Sequence, residues 1–286
     1  MSIHLRLTMR PMREKPFGKG GPRVPVIGQG TWPVPVANAL RRGIDLGMTH
    51  IDTAEMYGDG ESERIVGEAI CGIRRSRLFI VTKVLPSHAD RRGVARSCAA
   101  SLRRLKTDYV DCLLIHWRGD TPIEETMGAL EEQVEAGHAR SIGVSNFDPW
   151  DLREAARGLN AQRIACDQVM YNLGERTPED HELRWCRANG AALVAYTPLG
   201  LPTLDARTRG GRVLSSIGRK HRASAHSIAL AFLVRQPNVF AIPKASRIDH
   251  VIANAKAGDL RLSAEEVAAI DAAFPRRKRV GPLPTN

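Results

Sequence analysis

Three apolar runs in the first half of the chain end on polar residues of complementary chemistry. Asp52 follows His50-Ile51, Lys83 closes Ile80-Val81-Thr82, and His116 closes Leu113-Leu114-Ile115 ahead of Trp117. Tyr57 comes just after Asp52, in Ala54-Glu55-Met56-Tyr57-Gly58. A free phenol, with a pKa near ~10, is a poor proton donor or acceptor at neutral pH. A lysine ammonium beside it favours the phenolate, and a carboxylate paired with that lysine keeps it placed and charged. An imidazole next to the phenol can orient a carbonyl oxygen. Together the four make a general acid for carbonyl reduction or a base for alcohol oxidation. Singly they are a solvated lysine, a satisfied histidine and a packing tyrosine, so the chemistry requires that one rim of one fold gather them. No Ser or Cys stands beside a base in a nucleophile elbow, and no H-E-x-x-H or Cys/His cluster predicts a metal site.

The elements that must do this gathering are legible. β-rich runs begin near Val26, Met48, Leu78, Tyr109, Arg140, Ala165, Ala192 and Val239, each followed by a helical pattern. The first seven starts lie 22 to 31 residues apart, about one β-loop-α-loop unit. Continuous apolar runs such as Leu78-Phe79-Ile80-Val81 suit strands buried on both faces. Thr121-Pro122-Ile123-Glu124 reads as a capping box, with Ile123, Met127, Leu130 and Val134 as the apolar stripe behind it. Thr177-Pro178-Glu179-Asp180 opens another helix, and Ser263-Ala264-Glu265-Glu266 a last one with Val267, Ile270 and Phe274 inward. Eight units predict an α/β chain folded as a single (β/α)8 barrel over residues 24–274, with an appended C-terminal helix. A doubly wound open sheet is disfavoured because no G-x-G-x-x-G follows an early strand. Residues 1–23 are expected as a basic extension and 275–286 as a basic tail.

Several segments in this frame resemble the signatures of the aldo/keto reductase family. They are Gly28-Gln29-Gly30-Thr31-Trp32, Ile51-Asp52-Thr53-Ala54-Glu55-Met56-Tyr57-Gly58, Thr82-Lys83, Ile115-His116-Trp117, Gly143-Val144-Ser145-Asn146-Phe147, Asp167-Gln168-Val169, Ala195-Tyr196-Thr197-Pro198-Leu199-Gly200 and Ile242-Pro243-Lys244. The likeness runs from about Val24 to Phe274. It implies a catalytic tetrad at Asp52, Tyr57, Lys83 and His116, and a nicotinamide cofactor held without a Rossmann domain. On that pattern Ser145, Asn146 and Gln168 bond the carboxamide and Tyr196 stacks under the nicotinamide. Thr197, Pro198, Leu199 and Gly200 approach the pyrophosphate. Lys244, followed by Ala245 and Ser246, takes a 2′-phosphate, which favours NADPH over NADH. Gly30, Thr31, Trp32, Asp52, Ile242, Pro243, His250 and Asn254 complete the expected cofactor contacts. Two positions depart from the pattern: His250 stands where the family often has Arg, and Ala253 where it often has Glu. Trp32, Met56, Tyr57, His116, Trp117 and Phe147 are expected to line a pocket for a small or partly apolar aldehyde. Within the family the nearest resemblance is to bacterial reductases of methylglyoxal and similar aldehydes. A cofactor-binding regulatory subunit with little turnover is the alternative.

The 286 residues are 43% hydrophobic and 26% charged, with a net charge of +11. Residues 1–23 carry a net +5 and residues 275–286 a net +4, so residues 24–274 are nearly neutral. That distribution argues against a nucleic-acid partner, and no aromatic-basic interleaving supports one. Locally, residues 206–222 hold Arg207, Arg209, Arg212, Arg219, Lys220 and Arg222 without an acid, a candidate anion-binding loop over the cofactor. No apolar run approaches the roughly 18 residues of a membrane span. The Arg-rich start lacks the apolar core of a secretory signal. Five cysteines (71, 98, 112, 166 and 186) without C-x-x-C spacing read as free thiols in a reducing compartment, so a cytoplasmic location is expected, and a monomer is the default because no exposed apolar helix argues for a dimer.

Overall fold

The computed structural model describes residues 12–200 and 204–285. An antiparallel hairpin of β1 (Glu14–Pro16) and β2 (Arg23–Pro25) precedes eight parallel strands. These are β3 (Gln29–Gly30), β4 (His50–Asp52), β5 (Phe79–Val84), β6 (Cys112–Ile115), β7 (Ile142–Ser145), β8 (Ile164–Met170), β9 (Ala192–Tyr196) and β10 (Val239–Ala241), each paired with the next in sequence. A parallel bridge between Ile27 and Ala241 closes the sheet, with Gly28 N donating to Ala241 O at 2.8 Å and Ala241 N to Val26 O at 3.0 Å. The result is the expected (β/α)8 barrel.

Among the described residues, ten helices wrap or extend it: α1 (Ala37–Asp45), α2 (Glu61–Ala69), α3 (Arg91–Leu105), α4 (Ile123–Glu135), α5 (Pro149–Arg157), α6 (Glu182–Asn189), α7 (Arg209–His221), α8 (Ala225–Leu233), α9 (Ile248–Ala257) and α10 (Ala264–Ala273). The long interval between the seventh and eighth barrel strands is filled by two helices, α7 and α8. Two expected helix starts, those of α4 and α6, are corrected. Thr121 makes no cap, since α4 begins at Ile123 behind Pro122, and Glu124 and Glu125 instead supply negative charge to its first turn. Thr177–Glu179 is a single 3-10 turn, with α6 beginning only at Glu182. The Ser263 capping box forms with both of its bonds to Glu266.

The N-terminal mouth of the barrel is plugged by residues expected to lie outside it. Phe17, at the tip of the hairpin, packs on Phe79 at 4.5 Å and Phe240 at 5.1 Å between ring centroids. It also meets the edge of His50, whose two ring nitrogens have no partner among the described residues. Burial drops the His50 pKa to about 3, so the ring is neutral. Lys15 lies buried beside this plug and donates to the backbone carbonyls of Val234 at 2.7 Å, Val239 at 3.1 Å and Gln236. The far end of the chain is likewise tied down: Arg276 pairs with Asp180 and Arg279 with Glu182. Neither basic end, where described, is a free tail, because each offers cations or apolar rings that the barrel surface can bury.

Candidate active site

Strand alternation selects the side chains that meet at the other mouth. Phe79 and Val81 of β5, Cys112 and Leu114 of β6, Cys166 of β8, Val194 of β9 and Phe240 of β10 belong to the inner core. With a side-chain period of two, the next inward positions are Lys83, His116, Gln168 and Tyr196, at or just past the C-terminal strand ends. Asp52 ends β4 beside them, and Tyr57 descends from the loop that follows.

Lys83 is the hub. Its ammonium, fully buried, donates to Asp52 Oδ1 at 2.6 Å, the Thr53 carbonyl at 2.8 Å and Tyr57 Oη at 3.3 Å. Asp52 Oδ2 accepts from Gln168 Nε2 at 2.6 Å, and the Thr31 hydroxyl donates to the Asp52 carbonyl at 2.9 Å. The Tyr57 and His116 rings stand edge to face, with centroids 5.6 Å apart. All four sequence-predicted tetrad residues therefore meet in one cluster.

Burial and charge set the protonation states. Burial alone would lower the Lys83 pKa, but the charge of Asp52, aided by Tyr57 and by the hydrogen bonds to both, more than offsets it, and the net shift is upward. Burial raises the Asp52 carboxyl, opposed by Lys83 and Gln168. For Tyr57 the sequence expectation of a lowered pKa is corrected. Lys83 does pull it down, but burial outweighs that pull and the phenol lies above its ordinary value, so it is a protonated donor. His116 is lowered to about 3 by burial and then by Lys83, which leaves a neutral imidazole across the physiological range.

A second cluster flanks the first. Asn146 follows β7 in the left-handed region, at φ 60°, a conformation its short polar side chain tolerates. Its amide nitrogen donates to the His116 carbonyl and to Ser145 Oγ, both at 3.2 Å, and its oxygen accepts from the Tyr196 hydroxyl at 2.8 Å. Ser145 in turn donates to the Gln168 carbonyl at 2.9 Å. Thr197, at φ 46°, is a β-branched residue in the same unusual region, where such backbone costs about 1–3 kcal/mol. Its carbonyl is held by Asn172 Nδ2 at 3.1 Å and Gly200 N at 3.0 Å. Gly30 is required by close approach: a Cβ there would stand 2.6 Å from the Ile242 carbonyl.

Above these groups opens a cleft of about 740 Å³. Gly30, Thr31, Trp32, Asp52, Ser145, Asn146, Gln168, Tyr196, Thr197, Pro198, Ile242 and Lys244 line it, as do Met56, Tyr57, His116 and Trp117. Leu199, Gly200, Pro243, Ala245, Ser246, His250 and Asn254 do not. Ser246 stands behind Lys244 and accepts from its Nζ at 2.6 Å, while His250 and Asn254 lie on α9. Phe147 is a correction. The left-handed turn at Asn146 breaks the strand alternation, and the Phe147 ring goes to the layer between strands and helices, 0% exposed. In the basic stretch, Arg207 turns to Asp205 at 2.6 Å, and Arg207, Arg209 and Arg212 are not among the described residues that line the cleft.

Residues missed from sequence, Arg118, Asp148 and Asp151, also line the cleft. Arg118 is held by Asp151 and, at 2.6 Å, by Glu154, with Asp148 nearby as the N-cap of α5. Their position directly after two strand ends was an available signal. Pro282, Leu283 and Thr285 of the C-terminal segment also line the cleft, and only the apolar residues closing a basic stretch pointed to them.

A closed parallel barrel whose C-terminal rim carries a lysine-bridged carboxylate and phenol defines a class of carbonyl-handling barrel. Residues 27–274 match the aldo/keto reductase family, and the chain belongs to that family. It is similar to methylglyoxal reductase YeaE of Escherichia coli (strain K12), 41% identical, with 91% of this chain and 94% of that protein covered. It is 32% identical to the glyoxal reductase of Bacillus subtilis (strain 168), over 92% of this chain and 94% of that protein. Among solved structures, an aldo/keto reductase from Klebsiella pneumoniae in complex with NADP and acetate superposes with a TM-score of 0.88 at 40% identity, covering 96% of this chain and 100% of that one.

Proposed function

We propose that the protein reduces small aldehydes and ketones to alcohols with NADPH, and that Tyr57 donates the proton to the carbonyl oxygen. The observation that carries this reading is the single buried ammonium of Lys83 bridging Asp52 and the Tyr57 hydroxyl. The donor set fits a nicotinamide dinucleotide. Asn146 and Gln168 supply amides and Ser145 a hydroxyl for a carboxamide, Tyr196 an aromatic face, and Lys244 a point charge for a phosphate. When bound, NADPH supplies the hydride.

The residues of the chain do the rest. Tyr57, kept protonated by burial, gives up its proton as charge develops on the carbonyl oxygen, and Lys83 at 3.3 Å stabilises the phenolate that remains. The neutral His116 orients that oxygen without competing as an acid. Gln168 spends its amide nitrogen on Asp52, which leaves its amide oxygen as the carboxamide contact. Trp32, Met56, Trp117 and Leu283 give the substrate side apolar surface. Arg118 is already neutralised by two carboxylates, so an uncharged carbonyl compound suits this wall better than an acid. The relatives named for methylglyoxal and glyoxal support the same substrate class.

Following reduced-cofactor absorbance with a panel of aldehydes tests the reading. Turnover is expected with the wild type, and Tyr57→Phe should abolish it while leaving NADPH binding nearly intact. Turnover by Tyr57→Phe at the wild-type rate would refute the assignment of the acid.

A further inference from the structure

The basic C-terminal segment has a use that the reaction chemistry does not account for. After α10 the chain makes, among the described residues, three ion pairs with the region around α6, one of them from Arg276 to Glu179 at 4.0 Å. Arg276 reaches Asp180 at 2.9 Å on the surface. Arg279 reaches inward, where its two terminal nitrogens grip both oxygens of Glu182, one at 2.7 Å and one at 2.5 Å. Glu182 is 0% exposed, and the Arg279 side chain is itself largely buried. Asp167 of β8 lies in the same interior region and is also fully buried. Burial and the neighbouring Glu182 push the Asp167 carboxyl far above the carboxylate range, while the Phe147 backbone N–H and then Arg279 pull it down. Arg279 Nε is buried and unpartnered among the described residues.

Beyond Arg279 the chain changes character. Val280 is 94% exposed and Gly281 turns at φ 87°, after which Pro282, Leu283 and Thr285 stand in the wall of the cleft. No hydrogen bond or ion pair joins residues 280–285 to the barrel among the described residues. The Arg279 bidentate pair is therefore the last polar anchor before the segment that walls the substrate side.

We propose that Arg279 is a positioning residue for substrate selection: its guanidinium, seated on buried Glu182 beside Asp167, moors the C-terminal strap so that Pro282, Leu283 and Thr285 close one side of the carbonyl pocket. The proposal rests on the carbonyl-reductase reading of the same cleft. The mooring is directional because a buried carboxylate without its cation is costly, which gives the strap one strongly preferred seat. Breaking it leaves the tetrad, built on β4, β5 and β6, where it was. It opens the wall.

The test combines Arg279→Gln, Arg279→Lys and a chain ending at Arg279, each assayed with NADPH against a two- to three-carbon aldehyde and a bulky aromatic aldehyde. Arg279→Gln should raise KM for the small aldehyde about tenfold and leave its kcat within about twofold, since uniform binding and not the chemical step is lost. KM for the bulky aldehyde should stay level or fall. Arg279→Lys should restore part of the small-aldehyde KM. The chain ending at Arg279 keeps the anchor but lacks the wall, and should match the Arg279→Gln profile. If it keeps the wild-type KM for the small aldehyde, or if Arg279→Gln changes both substrates by the same factor through kcat, the proposal is overturned. Trypsin gives a readout independent of turnover. Cleavage after exposed Arg276, Arg277 or Lys278 should be faster in Arg279→Gln than in the wild type, and an equal rate also overturns the mooring. A wild type with no turnover of any aldehyde, but with protected tail sites, would sink the reductase reading and leave the mooring standing.

Discussion

Two buried lysines sit at opposite mouths of the same barrel and have opposite fates. Lys83, at the C-terminal mouth, has a carboxylate 2.6 Å away and is driven above its ordinary pKa. Among the described residues, Lys15, under the hairpin at the N-terminal mouth, has only carbonyl dipoles as partners and the cations Arg13 and Arg261 as neighbours. Burial and those charges lower it to about 7. The lesson is that burial penalises both equally in kind, and the partner decides the sign. A full counter-charge makes a permanent cation that can tune a phenol. Dipoles alone make a group that titrates near neutrality and holds three backbone carbonyls in place. A third lysine, Lys244, sits half-exposed on the cleft rim, where its ammonium donates to Ser246 Oγ and faces a space open to an anion.

The comparison can be broken in order of consequence. Lys83→Met should lower turnover by about 10²–10⁴-fold, because the cation that stabilises the Tyr57 phenolate is gone, while NADPH binding is little changed. Steady-state rates beside a fluorescence titration measure the two effects separately. Lys244→Ala should raise KM for NADPH about tenfold and leave that for NADH unaltered, since one charge-assisted phosphate contact is lost. Equal effects on both cofactors would remove Lys244 from the phosphate role.

Lys15 acts on stability. Between pH 7 and 10.5 the unfolded chain holds a proton that the folded chain has released, so stability should rise with pH through that window. The rise is at most about 1.4 kcal/mol per pH unit for one proton. Lys15→Met should flatten this slope in denaturant titrations at pH 7 through 10, and an unchanged slope would place the titration elsewhere. The smallest expected effect is a null one. With His116 neutral down to about pH 3, the kcat profile should show no imidazole step between pH 5 and 8. A step near the ordinary histidine value would mean that the ring is charged in the working enzyme.

Much of the site was readable because it is local. Lys83 and His116 sit at the ends of short apolar runs, and the period of a strand, with the rule that barrel chemistry gathers at C-terminal strand ends, placed them together. The same reasoning failed where one backbone angle left the pattern. The left-handed turn at Asn146 sends Phe147 to the helix layer, and no composition rule anticipates it. Capping chemistry was uneven for a similar reason. Ser263 and Glu266 close on each other across three residues, whereas Thr121 is displaced by the proline that follows it.

By itself, then, the sequence determined the eight strand runs, their parallel order and the three residues at or just past their ends, Asp52, Lys83 and His116, because these follow from short-range hydrophobic periodicity. Tertiary structure decided what needed distant partners. Residues of the expected N-terminal extension became a plug only because Phe79, Phe240 and His50 leave the barrel mouth open to Phe17. Arg279 became an anchor only because Glu182, 97 residues earlier, is buried where its charge requires a cation. Tyr57 ended above its ordinary pKa because the depth of its burial, which no neighbour in sequence reveals, outweighs the lysine beside it.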